Sequence, residues 1–394
     1  MQTIGVPCLA ETAVGQVPVP AARILGRALE GRELTRDEGV ILAELPPDAV
    51  GPLTAVADEV RRCRVGDIIT YVMNRNINFT NVCIIGCKFC AFSTGPNAPD
   101  AYDLTLEQIA VKAAEAWECG ATEVCIQGGL PRDLDGYHYR DILRAVKRVT
   151  PKMHVHAFSP MEVVYGVEKT GMPLADYLAM LKDEGLGSLP GTAAEILDDG
   201  VRQLLSRLKV TVKQWVEVIT TAHRLGIPTT STMMYGHVEE PVHWVNQLCL
   251  LRDIQKETGG FTEFVPLGFI HLNTNVFREG KTRPGPTLEE HLKVHALSRL
   301  MLQGAIDNIQ ISWVKLGRDL SQQCLLAGAN DYSGTLMEEN ISRLAGATAG
   351  EYLSPEEMRE RIWELGRIPA ERSTTYKLLK IFPANGKDPM TNDQ

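Results

Sequence analysis

From about residue 74 onward, short apolar runs alternate with longer segments in which apolar side chains recur every three or four positions. The short runs predict strands over 76–82, 123–127, 154–158, 186–189, 227–233, 262–267 and 308–313, with a weaker eighth over 325–331. Between them lie amphipathic helices. Leu106, Ile109, Ala110, Ala113, Ala114 and Trp117 share one face, while Glu107, Lys112, Glu115 and Glu118 take the other. Thr105 with Gln108 forms a capping box at the start of that helix, and Gly120 is a natural stop. Thr211 with Gln214 and Thr287 with Glu290 open two more helices in the same way.

Repeated strand–helix alternation is the signature of parallel strands joined by right-handed crossovers. A doubly wound open sheet and a closed barrel both satisfy it. The units run on without a composition break, which favours an α/β fold of the (β/α)8, TIM-like barrel type over 71–350. Residues 1–70 lack the alternation and carry Leu25, Leu29, Val40, Leu42, Val56 and Val60 among charged positions, as an N-terminal helical extension would. Residues 351–394 predict a C-terminal helix, opened by Ser354, Pro355 and Glu357, and then a frayed polar tail, PANGKDPMTNDQ.

Composition narrows the function classes. Forty Lys and Arg against 49 Asp and Glu leave a net charge of −9, and no basic block offsets it, so no nucleic-acid surface is expected. No run approaches the roughly 18 uninterrupted apolar residues of a membrane span. The N-terminus lacks a basic start followed by an apolar core, so the expectation is a soluble, cytoplasmic protein. Nine cysteines, an odd number, argue against a disulfide framework. Six are scattered (Cys8, Cys63, Cys119, Cys125, Cys249 and Cys324) and read as small buried hydrophobes.

The other three form CIIGCKFC, with Cys83, Cys87 and Cys90 spaced C-x3-C-x2-C just after the first predicted strand. Three thiolates on one loop can each hold one iron of a [4Fe-4S] cubane, leaving the fourth iron without a protein ligand. A structural zinc site would want a fourth ligand, and an electron-transfer ferredoxin a fourth cysteine; neither is at a suitable spacing. In a barrel the loop after a strand lies at the C-terminal rim, where active sites are built.

This motif after a first barrel strand resembles the radical S-adenosylmethionine (SAM) superfamily. The resemblance implies that the open iron chelates SAM and that an electron from a low-potential donor splits it to a 5′-deoxyadenosyl radical. It implies an adenine contact for Phe89 and a SAM contact for the Gly128-Gly129 backbone, where the absence of a Cβ permits close approach. Leu130 stands where an acidic residue often follows that glycine pair.

NRNINFTN (74–81) resembles a subgroup that acts on aromatic metabolites, comprising the two FO synthase subunits and two enzymes of the futalosine route to menaquinone. EVCIQGG (123–129), HVHAFSPME (154–162), LPGTAAEIL (189–197), TMMYGH (232–237), FTEFVP (261–266) and GAND (328–331) are most similar to the second FO synthase subunit family, the tyrosine 4-hydroxyphenyl transferases. One departure is DYSG (331–334), where a Gly-Gly pair is expected.

The resemblance implies a transferase that joins the 4-hydroxybenzyl group of L-tyrosine to 5-amino-6-(D-ribitylamino)uracil and passes the product to FO synthase subunit 1, which closes the deazaflavin ring. Futalosine-pathway chemistry is the alternative, and a non-catalytic iron–sulfur redox protein a more distant one. Glu195 is a candidate for the SAM ribose or amino group, or else a helix-start carboxylate. His237, Glu239, Asn330 and Asp331 are rim candidates for substrate contacts, with Glu195, His237 and Asp331 the candidates nearest to catalysis. His154 and His156 alternate along one strand and face one side; a binding role and a satisfied place in the core both remain open.

Overall fold

The structure is a computed structural model and describes residues 9–383. Its organising element is one long strand, β1 (Ile68–Val72), which passes through Met73 into β2 (Asn74–Asn78). β2 pairs in parallel with β3 (Glu123–Gln127), and β3 with β4 (His154–Ala157). β5 (Thr229–Tyr235) pairs with β6 (Phe261–Gly268). β7 (Asp331–Gly334) returns to β1, with Thr70 level with Asp331. The ladders alone form separate sheets. Single parallel bridges link them, His156 to Ser188, Leu189 to Thr229, Phe264 to Ile309 and Gln310 to Asp331. The order is that of a (β/α)8 barrel with two of its staves reduced to bridges.

Those two staves were predicted as strands, and local chemistry explains why they fall short. Pro190, directly after the 186–189 stretch, lacks an N–H and stops the ladder there, and within the stretch a Cβ on Gly187 would lie 2.6 Å from the His154 ring. In the 308–313 stretch, Trp313 already begins the helix Trp313–Leu325. The weak eighth strand is also displaced. Leu325 ends that helix, Gly328 turns the chain at φ +104°, and β7 starts only at Asp331. The first predicted strand begins earlier, at Ile68, and ends at Asn78, because the chain there turns into the cysteine loop.

The helices Leu106–Glu118, Val212–Arg224 and Leu288–Leu302 begin at the predicted capping boxes, each with both reciprocal bonds. Ser354 accepts the Glu357 N–H at 3.1 Å, but Glu357 turns its carboxylate to Arg318 instead of closing the box. Upstream of the barrel, the helices Leu9–Val14, Val19–Leu29, Arg36–Ala43 and Val50–Val65 pack beneath it. Val50–Val65 rests on Leu288–Leu302, and Arg36–Ala43 on Pro241–Thr258. Among the described residues, no single helix is long and apolar enough to cross a membrane.

The C-terminal helix, Pro355–Glu364, is where the sequence places it. Two strands that the sequence reading did not anticipate follow. β8 (Ile368–Arg372) pairs in parallel with β1 on the edge away from β7, and β9 (Leu378–Ile381) adds antiparallel to β8. Residues 384–394, the rest of the polar tail, lie outside the described residues, as does Cys8.

Candidate active site

Beyond Asn78 the chain leaves the barrel wall and folds across its C-terminal end. Backbone bonds pin this loop on three sides: Cys83 N–H to Thr94 O at 3.1 Å, Ile84 N–H to Leu130 O at 3.0 Å and Lys88 N–H to Leu205 O at 2.9 Å. Gly86, at φ +66°, makes the turn between the first two cysteines. Cys83, Cys87 and Cys90 are free thiols that border one chamber of about 420 Å³ inside the barrel mouth. Phe89 borders it too, with the Lys209 ammonium 5.1 Å from its ring centre. Burial pushes the Cys87 thiol up to about 12, with Lys209 pulling down and Glu195 pushing up. A lone thiolate is therefore disfavoured there, and a soft cation is what would hold it ionised. Among the described residues no three His, Cys, Asp or Glu side chains converge on a single ion. Three thiols of one loop that border the same chamber suit a cluster, which presents a separate iron to each. The donor set fits a [4Fe-4S] cubane.

Gly128 and Gly129 follow β3 and face the same chamber. A Cβ on Gly129 would stand 2.1 Å from the Val82 carbonyl oxygen, and one on Gly128 would stand 2.5 Å from the Phe79 ring. Only glycine lets this turn lie against the root of the cysteine loop. The Gly129 N–H donates to Thr80 O at 2.7 Å and the Gly128 N–H to Glu162 Oε1 at 3.0 Å. A carboxylate therefore does accompany the glycine pair, although Leu130 occupies the position after it. It comes from the turn after β4, where Glu162 also closes the capping box with Ser159. Burial raises its pKa to about 7, against the pull of the bonds from Ser159 and Gly128.

Glu195 lines the chamber opposite a cationic pair, with Lys209 Nζ donating to Oε1 at 2.6 Å and Arg202 Nη1 to Oε2 at 3.4 Å. Ala193 at φ +59° and Glu195 at φ +41° hold the backbone in the left-handed region, a cost typical of functional turns. A Cβ on Gly191 would meet the Thr230 carbonyl oxygen at 2.0 Å, so this segment is pressed onto β5.

The remaining candidates are placed elsewhere. His154 and His156 both bond the Ser188 hydroxyl, at 2.7 and 2.6 Å, and burial lowers both pKa values, that of His156 to about 4. They are satisfied barrel-core histidines and do not border the chamber. His237 donates through Nε2 to Met234 O at 2.8 Å and accepts the Val238 N–H at Nδ1 at 2.7 Å. Burial alone would raise the Glu239 pKa, but His237 and the Gly236 and His237 N–H groups outweigh it and hold the value down at about 2; the Trp244 indole also donates to this carboxylate. Both belong to a rigid turn behind the chamber. Asn330 accepts from Arg299 Nη2 at 2.7 Å and the Ile309 N–H at 2.8 Å. Asp331 is fully buried and engaged by Thr70, Ser333 N–H and Arg372. Both are wall and floor residues that do not line the chamber.

Chamber residues that sequence reasoning passed over are Glu162, Lys209, Lys315, Glu339 and the amides of β2. Glu162 carried a signal only as a capping box. Lys209 and Lys315 sit in stretches that look like ordinary helix starts. Asn76 and Asn78 point from β2 into the chamber and also wall a second cavity of about 290 Å³, shared with Asn81, Asp100, Tyr102 and Asn340. Asn78 is buried, and its Oδ1 has no hydrogen-bond partner. A buried amide oxygen left unpaired in a cavity wall is a place for a ligand N–H or O–H.

Comparison with known proteins agrees with this geometry. Residues 77–248 match the radical SAM superfamily, and residues 258–385 match the CofH/MqnC C-terminal region. Among solved structures, the FeFe-hydrogenase maturase HydG of Carboxydothermus hydrogenoformans superposes with a TM-score of 0.70 at 16% identity, over 90% of this chain and 80% of that one. Methylornithine synthase (PylB) gives 0.67 at 20% identity, over 88% and 97%. These two likenesses show a shared fold, and the family match identifies it as that of the radical SAM superfamily. The FO synthase of Streptomyces coelicolor is 53% identical over 87% of this chain, which spans 40% of that longer protein. The 5-amino-6-(D-ribitylamino)uracil–L-tyrosine 4-hydroxyphenyl transferase of Methanocaldococcus jannaschii is 51% identical over 89% of this chain and 98% of its own length. That of Methanothermobacter thermautotrophicus is likewise 51% identical, over 90% and 96%. The three cysteines, the glycine pair and the chamber they share thus belong to a radical SAM enzyme, and the chain is a member of the 5-amino-6-(D-ribitylamino)uracil–L-tyrosine 4-hydroxyphenyl transferase family.

Proposed function

We propose that this chain transfers the 4-hydroxybenzyl group of L-tyrosine to C5 of 5-amino-6-(D-ribitylamino)uracil, the step before deazaflavin ring closure. The observation that carries the reading is the single chamber bordered by all three loop cysteines, in a chain 51% identical to a transferase of that name over 98% of its length. When bound, the cluster and SAM supply a primary carbon radical able to take a hydrogen atom from tyrosine.

The chain's own work is holding, orienting and excluding. Cys83, Cys87 and Cys90 would hold three irons and leave the fourth for SAM. Glu195, already balanced by Lys209 and Arg202, is a fixed carboxylate within the same chamber, suited to the SAM amino group or ribose hydroxyls. Met161, Met234, Leu267 and Phe269 give the chamber an apolar side that suits the phenol ring and keeps water from a reactive carbon radical. Cleavage of the tyrosine Cα–Cβ bond then releases the benzyl radical beside its acceptor and leaves the amino-acid end as a two-carbon imino acid. After addition at C5 the adduct gives up one electron and one proton, which balances the electron used to cleave SAM. The uncharged diaminouracil, rich in N–H and O–H groups, matches the amide-lined side cavity of Asn76, Asn78 and Asn81. Holding three small molecules in register in this way turns an encounter into a unimolecular step.

FO synthase subunit 1 is the proposed recipient of the product. The matching unit makes up only about 40% of the FO synthase chains, which supports a second catalytic unit acting in the same route. The test is an anaerobic incubation of the iron- and sulfide-reconstituted protein with SAM, reductant, tyrosine and the diaminouracil. Mass spectrometry should find 5′-deoxyadenosine and a hydroxybenzyl–uracil adduct, both lost in Cys87→Ala. Deoxyadenosine without the adduct would move the assignment to other substrates. Neither product from fully loaded protein would overturn the catalytic reading.

A further inference from the structure

Two of the three small molecules in the proposed reaction, SAM and tyrosine, carry an α-ammonium and an α-carboxylate. A chamber that binds both in a dry site needs two sets of counter-charges, since an unpaired buried charge is costly. The chamber wall holds two lysines, each with a glutamate close by, on different parts of the barrel. Lys209 and Glu195 follow the fourth stave. Lys209 is spoken for: it bonds Glu195 at 2.6 Å, lies 5.1 Å from the Phe89 ring, and its field reaches Cys87. This set belongs to the cluster side.

Lys315 and Glu339 make up the other set. Lys315 sits in the first turn of Trp313–Leu325, after the seventh stave, and Glu339 follows β7. Lys315 Nζ donates to Ser342 Oγ at 3.1 Å. Among the described residues it has no other hydrogen bond and no carboxylate within ion-pair distance. An ammonium has three donors, so two are unclaimed. Burial pulls its pKa below the ordinary lysine value, and Glu339 opposes that pull from beyond contact distance. Glu339 is held in place, both carboxylate oxygens accepting the Ser342 N–H at 3.1 and 3.0 Å. Each oxygen keeps lone pairs free for a further donor. Ser342 therefore braces both charged groups, its hydroxyl under Lys315 and its amide under Glu339.

We infer that Lys315 and Glu339 form the tyrosine anchor, with the Lys315 ammonium binding the substrate α-carboxylate and the Glu339 carboxylate binding the α-ammonium. The inference rests on the proposed transferase reading and deepens it. Gripping the amino-acid end fixes the fragment that is left behind and leaves the phenol end and Cβ free to move toward the acceptor once the Cα–Cβ bond breaks.

The test is equilibrium dialysis of labelled L-tyrosine and, separately, of SAM against the cluster-loaded protein. Formation of 5′-deoxyadenosine is compared in parallel for tyrosine, tyramine (which lacks the carboxylate) and 3-(4-hydroxyphenyl)propanoate (which lacks the amine). A charge-assisted contact of this kind sets the expected size of the effect: Lys315→Met weakens tyrosine binding by about tenfold or more, with SAM binding retained. The wild-type preference for tyrosine over tyramine collapses in Lys315→Met, and the preference over the propanoate collapses in Glu339→Gln. A general structural defect would not separate the two analogues in this way. Should Lys315→Met fail to fold, Lys315→Gln takes its place in the same comparison. Variants that bind tyrosine within twofold of wild type and keep both preferences would overturn the anchor. A wild-type protein that cleaves SAM with no response to tyrosine would instead overturn the transferase reading, and the anchor with it.

Discussion

Arg372 and Asp331 face each other across β1, the guanidinium Nη2 donating to Asp331 Oδ1 at 3.0 Å and Nε to Oδ2. Both residues are buried, and they come from the two strands that flank β1, β8 and β7. Glu263 joins them, accepting from Arg372 Nη2 at 3.3 Å and from the Tyr376 hydroxyl. β8 thus sets a buried guanidinium among carboxylates of the barrel strands, which neutralise it. Removing one partner leaves the other charge buried and alone, which costs about 3–5 kcal/mol. Asp331→Ala and Arg372→Met are accordingly expected to lower the urea midpoint strongly, while the fraction that folds binds tyrosine and SAM as wild type does. Weakened substrate binding in a fully stable Asp331→Ala protein would return Asp331 to the active site.

Ser333 lies two residues beyond Asp331 along β7 and holds φ at +80°, a region costly for a side-chain-bearing residue such as serine. Glycine is what the resemblance leads one to expect at this place, and the positive φ supplies a physical reason. The neighbouring Gly334 has no room for a Cβ, which would lie 2.2 Å from Asn74 Oδ1. Ser333→Gly should therefore fold at least as stably as wild type, with a gain of up to about 1 kcal/mol from relieved strain. Gly334→Ala should be strongly destabilised. Thermal melts of the two variants check both signs, and a destabilised Ser333→Gly would contradict the strain argument.

Much of this is legible in the amino-acid sequence itself. The capping boxes at Thr105, Thr211 and Thr287, the C-x3-C-x2-C loop and the barrel order depend on local spacing, which sequence displays directly. The identity of the chamber wall depends on which loops meet above the barrel. Glu195 could be picked from its motif, but its partner Lys209 lies in a separate turn with no pattern to mark it. Asp331 and Asn330 read as rim residues from the sequence because the apolar run over 325–331 puts the eighth strand six residues too early. With β7 beginning at Asp331, both fall at its lower end. β8 escaped notice because IPAER has neither alternation nor a continuous apolar run, and only its pairing with β1 makes it a strand.

The buried His223 bridges Thr258 Oγ1 at 2.6 Å and Thr229 Oγ1 at 2.8 Å, with Phe261 edge-on to its ring. Burial lowers its pKa to about 4, against an unfolded value near 6.5. The folded imidazole thus stays neutral where the unfolded one takes up a proton. Its contribution to stability is complete above about pH 6.5 and is lost as pH falls toward 4. Urea unfolding of wild type and His223→Gln at pH 7.5 and pH 5 should show wild type losing more stability on acidification. Equal losses would contradict the assignment.

Glu195 offers the chamber its carboxylate on the cluster side. Glu195→Gln removes that charge and leaves Lys209 and Arg202 without their anion. SAM binding to the cluster-loaded protein, measured by equilibrium dialysis, should weaken by about tenfold to a hundredfold. Unchanged SAM affinity would make Glu195 a purely structural partner of the two cations.

The central claim is that the carbon skeleton of tyrosine is broken at Cα–Cβ in this chamber and its benzyl part handed to the pyrimidine. The most direct measurement uses L-tyrosine labelled with ¹³C at Cβ in the reconstituted anaerobic reaction, read by mass spectrometry of the uracil product. The account predicts an adduct one mass unit heavier than with unlabelled tyrosine, formed together with 5′-deoxyadenosine. An adduct that carries no label, or SAM cleavage that proceeds with the pyrimidine unchanged, would contradict it.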